Sequence, residues 1–263
     1  MVINWVLERA YVPEHLPHYF TSMSDADVYI SGGYVYYKTP HAVVVVAYPL
    51  EGGWEPSEVY RLVEQFLDRV VVVIGPDLPP LSYVETSQDF YYRLMLPAAV
   101  SKKLRYMVRR ASREVSISIS RRVGREHLRL VESFLKARDV SYIRAIYRRL
   151  PQYVASHPEV YVLEALDRRG AIVGFDVVDF SAARFGFYMF NFIDRVNYVP
   201  GVSDYLFYNF LKLAEAKNKR ELNLGLGSTE GVRKFKEKWG GAPWLPYRYG
   251  LYISASVLFN PMG

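Results

Sequence analysis

Between residues 197 and 241 the apolar positions trace a loop, a long helix, a short strand, a glycine-rich turn and a second helix. Leu206, Phe207, Phe210, Leu211 and Ala214 recur at helical spacing and predict one buried face. Ser203 is placed to cap that helix, with Asp204 in its opening turn. Residues 221–225 have the length of a strand. Gly225 and Gly227 free the backbone at its exit, and Ser228 is placed to cap the helix that follows. That helix carries Arg233, Lys234, Lys236 and Lys238 and stops at Gly240-Gly241.

Upstream, residues 27–37 and 41–50 read as a β-hairpin turning at Thr39-Pro40. A helix over 56–69 turns Val59, Leu62, Val63, Phe66 and Leu67 inward, and β-branched residues 70–74 predict a buried parallel strand. A strand over 90–96 leads to a helix over 97–113, with Leu104, Met107, Val108 and Ala111 on one face and Lys102, Arg105, Arg109 and Arg113 on the other. A strand over 115–120 and helices over 125–136 and 141–153 follow. Strands over 159–167 and 171–180 flank a turn at Arg168-Arg169-Gly170; further strands are expected over 184–194 and 247–255. The pattern describes an α/β (α+β) protein built as two related units in tandem, each a mixed sheet flanked by helices.

Composition narrows the chemistry. The 263 residues contain no cysteine, which excludes disulfides, thiol catalysis and cysteine-zinc sites. The five histidines are scattered; His15 and His18 are close and read as a surface feature, and no metal site is expected. No Ser/His/Asp motif or Walker-type loop is present. Glutamine occurs only at 65, 88 and 152, which together with the missing cysteine suggests a thermophile. The first residues lack the basic leader of a signal peptide, and the apolar runs at 42–47 and 70–74 are too short to span a bilayer, so a cytoplasmic protein is expected. The formal charge of +6 is compatible with RNA, a nucleotide or a phosphate-bearing donor as partner.

Two motifs carry a family resemblance. Leu222, Asn223, Leu224 and Gly225, followed by Arg233, Phe235, Lys236, Trp239 and Gly240, resemble the end of a GNAT-type acyltransferase domain. The resemblance is to the Fem family of peptidoglycan-bridge aminoacyltransferases and to the C-terminal catalytic domain of lysylphosphatidylglycerol synthetases. Lys102-Lys103-Leu104-Arg105 with Arg109-Arg110-Ala111 is similar to the helix that links the two halves of those proteins. The lysylphosphatidylglycerol synthetases carry membrane spans before that domain, and no such span is read here.

The resemblance implies a degenerate GNAT-like unit over 1–97, a basic linking helix and strand over 98–124, and a GNAT-like acyltransferase unit over 125–263. It implies transfer of an acyl or aminoacyl group to an amine, from acyl-CoA or aminoacyl-tRNA as donor substrate, with no permanently bound cofactor. Lys236 matches a lysine that stabilises the oxyanion in the Fem family. The donor cleft would be lined by Asn191, Gly201, Val202, Ser203, Gly225, Gly227 and Ser228. Acetyl-CoA enzymes hold pyrophosphate on the loop that corresponds to 198–203. Here Tyr198 replaces an Arg or Gln, Pro200 removes a donor and Asp204 adds an opposing charge. Phe235 stands where those enzymes place a tyrosine acid and cannot donate a proton.

Asp194 is the candidate base, with Glu164, Asp176 and Asp179 on neighbouring strands. Asp176 and Asp179 differ by an odd number and so face opposite sides. Tyr188, Asn191 and Asn223 could orient a substrate. Lys102, Arg105, Arg109, Arg233 and Lys234 are candidate contacts to phosphates of tRNA or of a nucleotide-linked acceptor, and Arg121, Arg122, Arg125 and Arg129 extend the same charge. Two rival readings stand beside the transferase: an acetyl-CoA N-acetyltransferase, and a non-catalytic RNA- or nucleotide-binding protein on the same fold.

Overall fold

The computed structural model describes residues 2–136 and 141–259. One mixed sheet of eleven strands runs through it in the order β1-β2-β3-β4-β11-β5-β10-β9-β8-β7-β6. The strands are β1 (Asp27–Ser31), β2 (Tyr34–Lys38), β3 (Ala42–Val46), β4 (Val70–Gly75), β5 (Glu85–Met95), β6 (Ser116–Ser120), β7 (Val160–Leu166), β8 (Ile172–Asp179), β9 (Phe185–Ile193), β10 (Glu221–Leu226) and β11 (Ala242–Ile253). The helices are α1 (Val2–Arg9), α2 (Pro17–Met23), α3 (Pro56–Glu64), α4 (Lys102–Ala111), α5 (Arg125–Lys136), α6 (Ser141–Arg148), α7 (Leu150–Ser156), α8 (Val202–Ala216), α9 (Glu230–Lys238) and α10 (Ala255–Phe259), with a 3-10 turn at Pro13–His15.

Most elements match the hydrophobic pattern. The five residues expected on the inner face of α8 are buried, and α4 buries Leu104 and Ala111 while Lys102, Arg105 and Arg109 face solvent. The stretch 27–37 is two strands rather than one. Gly32 (φ 56°) and Gly33 (φ 82°) make the left-handed two-residue turn that a tight hairpin requires. The helix expected over 141–153 is divided into α6 and α7, because Pro151 lacks an N–H and its ring cannot follow an unbroken turn. Among the described residues no helix is long and apolar enough to cross a membrane.

The two tandem units share one continuous sheet. Strand β11 comes from the 125–263 segment, yet it is paired antiparallel with both β4 and β5 of the 1–97 segment. The boundary read from the sequence therefore runs through a hydrogen-bonded ladder.

The N-terminal segment adds a second tie. His15 is fully buried, its Nε2 lies 2.9 Å from the carbonyl of Tyr48, and burial lowers its pKa to about 4. His18 sits 2.7 Å from the Asp179 carboxylate on β8. The surface reading of this pair is thus corrected: each histidine anchors the segment to a different part of the sheet. Among the described residues no three potential ligands gather as a metal site.

Asn223, fully buried on β10, completes the anchorage. Its Nδ2 donates to the carbonyl of Tyr11 at 2.8 Å, and its Oδ1 accepts from the N–H of Gly225 at 2.8 Å. Replacing both contacts by an apolar side chain strands two buried polar groups, each at a cost of about 1–3 kcal/mol. Asn223→Leu is expected to lower the calorimetric Tm by several degrees. An unchanged Tm would show that the clamp contributes nothing.

Candidate active site

The site begins where two parallel strands part. β9 and β10 pair through Glu221↔Phe185, Leu222↔Gly186 and Asn223↔Phe187, and the ladder stops there. β9 runs on to Ile193, while β10 turns at Gly225 (φ 74°) and shifts register against β5 between Asn223 and Leu226. A cavity of about 640 Å³ fills the gap. Its walls come from β9, the end of β10 and the start of α9, closed by Glu14 and Tyr19 of the N-terminal segment and by Phe134 and Tyr147 of α5 and α6.

Lys236 reaches this cavity from α9. Only 4% of the residue is exposed, and its ammonium donates to the carbonyl of Leu226 and lies 5.5 Å from the centre of the Tyr92 ring. A Cβ at Gly225 would meet the same Nζ only at van der Waals distance, 3.7 Å, so the glycine is required by its left-handed φ of 74° rather than by space. Burial pulls the Lys236 pKa down to about 7, opposed by the carboxylate of Asp89.

Behind the β9 wall lies Asp176, fully buried on β8. Its Oδ1 accepts from Asn191 Nδ2 at 2.6 Å and from the Tyr188 hydroxyl at 3.1 Å; its Oδ2 has no partner. Burial raises its pKa to about 7 despite those two hydrogen bonds. Asp179 faces the other side, where it holds His18 and Tyr153. The odd spacing of the two aspartates anticipates this division.

The candidate donor-binding set divides. Asn191, Gly225, Ser228 and Lys236 line one cavity, and Gly201, Val202, Ser203 and Gly227 do not. The α8 cap is Gly201 (φ 85°) rather than Ser203, and the carbonyl of Met107 lies 2.7 Å from where a Cβ of Gly201 would be. The N–H of Val202 is taken by the carbonyl of Val199 and that of Gly227 by the carbonyl of Phe90, so neither is free for a phosphate. Thr229, not Ser228, caps α9 by accepting from the N–H of Val232. Asp204, in the first turn of α8, accepts from the indole of the buried Trp239 at 3.0 Å and pairs with Lys238 at 2.6 Å.

Asp194 is also redirected. Its carboxylate accepts from the N–H groups of Val196 and Asn197 and from the Asn197 amide, with Arg129 at 3.6 Å. Burial pushes its pKa up, but these donors and Arg129 outweigh burial and hold it below the ordinary carboxylate range. It orders the loop after β9 and does not line the cavity.

Glu164 binds Ser120 and His127 instead. Arg233 and Lys234 are exposed on α9, with Lys234 bridged to Glu230 at 2.6 Å. Among the described residues no carboxylate pairs with Lys102, Arg105 or Arg109. Sequence reasoning missed Glu14, which enters the cavity from the 3-10 turn with Tyr91 bonded to its carboxylate at 2.6 Å. No local motif signals it, because its neighbours come from distant strands.

No protein-family model matches the chain, and no curated protein matches it. Solved structures do match along nearly its whole length. L-PGS from Bacillus licheniformis is 15% identical over 90% of this chain and 87% of its own, with a TM-score of 0.58. FemX is 10% identical over 99% and 97%, with a TM-score of 0.60. A tandem GNAT protein from the clavulanic acid biosynthesis pathway is 12% identical over 94% and 93%, with a TM-score of 0.54. The fold is therefore a GNAT-like one of the tandem kind, in a single mixed sheet.

The two shifted groups give opposite pH slopes. Asp176 titrates at 3.8 when free and about 7 when folded, so between those values the folded state binds more protons and stability falls as pH rises. Lys236 titrates at 10.5 when free and about 7 when folded, so across that window the unfolded state binds more protons and stability rises with pH. Urea unfolding should show Asp176→Asn removing the fall in stability between about pH 4 and 7, and Lys236→Met removing the rise between about pH 7 and 10.5, each change amounting to no more than about 5 kcal/mol. Mutant and wild-type curves that run parallel would refute these assignments.

Proposed function

We propose that this protein is an acyltransferase that moves an acyl or aminoacyl group from an ester or thioester donor to an amine. The observation that carries the reading is the Lys236 ammonium, buried at the parting of β9 and β10 and aimed into the cavity between them. Attack of an amine on the donor carbonyl places negative charge on the carbonyl oxygen. A desolvated, pre-positioned cation stabilises that oxyanion far more than the same cation in water. Lys236 has three N–H donors and spends one on Leu226, so it can serve the oxyanion without leaving its anchor. Asp176 orders the side chains of Asn191 and Tyr188 on the facing wall, where both are placed to orient substrate.

An aminoacyl-tRNA ester fits the donor requirement better than acyl-CoA. The N–H of Val202 is engaged and Asp204 sits in the opening turn of α8, which disfavours a pyrophosphate there. The unpaired basic face of α4, with Arg233 and Lys234 on α9, supplies cations for a phosphate backbone. Phe235 cannot protonate a thiolate leaving group. The folds of L-PGS and FemX support this direction. The rival acetyl-CoA N-acetyltransferase shares the fold and is separated from it by donor choice alone.

Radiolabelled aminoacyl-tRNAs and acyl-CoAs offered with a panel of amines test the reading. Transfer from at least one donor is expected, with Lys236→Met lowering kcat by about 10²–10³-fold. A rate unaffected by that substitution would remove Lys236 from the chemistry. Transfer from acyl-CoA alone would select the N-acetyltransferase, and tRNA binding without transfer from any donor would select the non-catalytic protein. The charge reversals Arg105→Glu and Arg109→Glu should each weaken tRNA binding and reduce the slope of log affinity against log salt by about 1. An unchanged slope would take α4 out of the interface.

A further inference from the structure

Glu14 is the acidic side chain that no step above employs, although it lines the same cavity as Lys236. It rides on the Pro13–His15 turn, which is pinned by Tyr37, whose hydroxyl donates to the Glu14 carbonyl at 2.8 Å. One carboxylate oxygen accepts from the Tyr91 hydroxyl at 2.6 Å, and the remaining donor to the group is its own backbone N–H. Tyr91 is the cross-strand partner of Leu226, whose carbonyl receives Lys236, so the two ionisable groups are tied to adjacent residues of the sheet.

What the carboxylate lacks is a cation. Among the described residues no lysine, arginine or histidine pairs with it, and burial pushes its pKa up. The cavity it lines also presents the aromatic side chains of Tyr19, Phe134, Tyr147 and Phe190. A half-buried carboxylate without a counter-ion is costly, and aromatic faces attract cations. The complement of this wall is a compact organic cation with apolar surface beside it.

We propose that Glu14 is a binding residue for the primary ammonium of the substrate, seated among these aromatic rings. The proposal deepens the acyl-transfer reading of the same cavity and rests on it for the identity of the substrates. The ammonium has two sources in such a reaction, the acceptor amine or the α-amino group of an aminoacyl donor, and Glu14 recognises the chemistry they share.

Isothermal titration tests this without turnover. The acceptor arm compares 1,5-diaminopentane with 1,5-pentanediol; the donor arm compares alanine methyl ester with N-acetylalanine methyl ester. The wild-type protein is expected to bind the charged member of at least one pair tenfold or more tightly than the neutral member. Glu14→Gln, whose amide oxygen can still accept from Tyr91, is expected to abolish that preference and leave the neutral probes unchanged. A preference confined to one arm assigns Glu14 to that substrate.

Absence of any preference in the wild type, or its survival in Glu14→Gln, overturns the proposal. If the amide variant does not fold, Glu14→Asp takes its place, with charged-probe affinity required to fall severalfold as the carboxylate is drawn back. Failure of transfer with every donor, with Glu14-dependent amine binding intact, would overturn the acyl-transfer reading and leave this one standing.

Discussion

The parting of β9 from β10 after Asn223 is the constraint on which the rest of the molecule depends. A parallel pair normally satisfies its backbone groups across the ladder, so opening it inside a protein obliges each freed group to find another partner. Here the substitutes are specific. The N–H of Gly225 turns to the side chain of Asn223 and the carbonyl of Leu226 to the ammonium of Lys236, while the N–H of Gly227 stays with β5 at the carbonyl of Phe90. The cleft and the buried cation are therefore one feature. Lys236 is drawn in by an orphan carbonyl that the open strands create, and its position follows from backbone accounting.

Around that opening the protein collects charges that are only lightly compensated. Among the described residues Asp176 leaves one oxygen without a donor, Glu14 pairs with no cation, and the one carboxylate acting on Lys236 is Asp89. Burial moves all three towards their neutral forms. Asp204 and Asp194 are instead engaged by donors of the fold itself, the first by Trp239 and Lys238 and the second by the loop after β9. The contrast separates Asp204 and Asp194, which hold the fold, from Glu14, which lines the cavity, and Asp176, which stands behind its wall.

Much of this was legible locally. The 3.6-residue period identified α8 and α4 with their buried faces, and β-branched runs identified β3 and β4. In the sequence only the motif resemblance marks Lys236, since nothing else in its helix distinguishes it from Lys234 or Lys238. The helix caps were misplaced by one or two residues because Gly201 and Thr229 compete with nearby serines for the same role. Asp194 was misjudged because an aspartate before a turn readily accepts from the N–H groups two and three residues ahead. Glu14 and the site of β11 were out of reach, as both are defined by partners far along the chain, and periodicity carries no information about strand order.

The position of β11 has a bearing on how the molecule comes into being. β4 and β5 are neighbours in sequence but are held apart in the sheet by a strand encoded after β10. During synthesis their facing edges stay unzipped until that last strand leaves the ribosome, each an adhesive template for foreign β-structure. Closure is then a long-range, slow event that must wait for β11 to be made. A first half on its own would carry those two edges bare, so strand order couples the maturation of one half to that of the other.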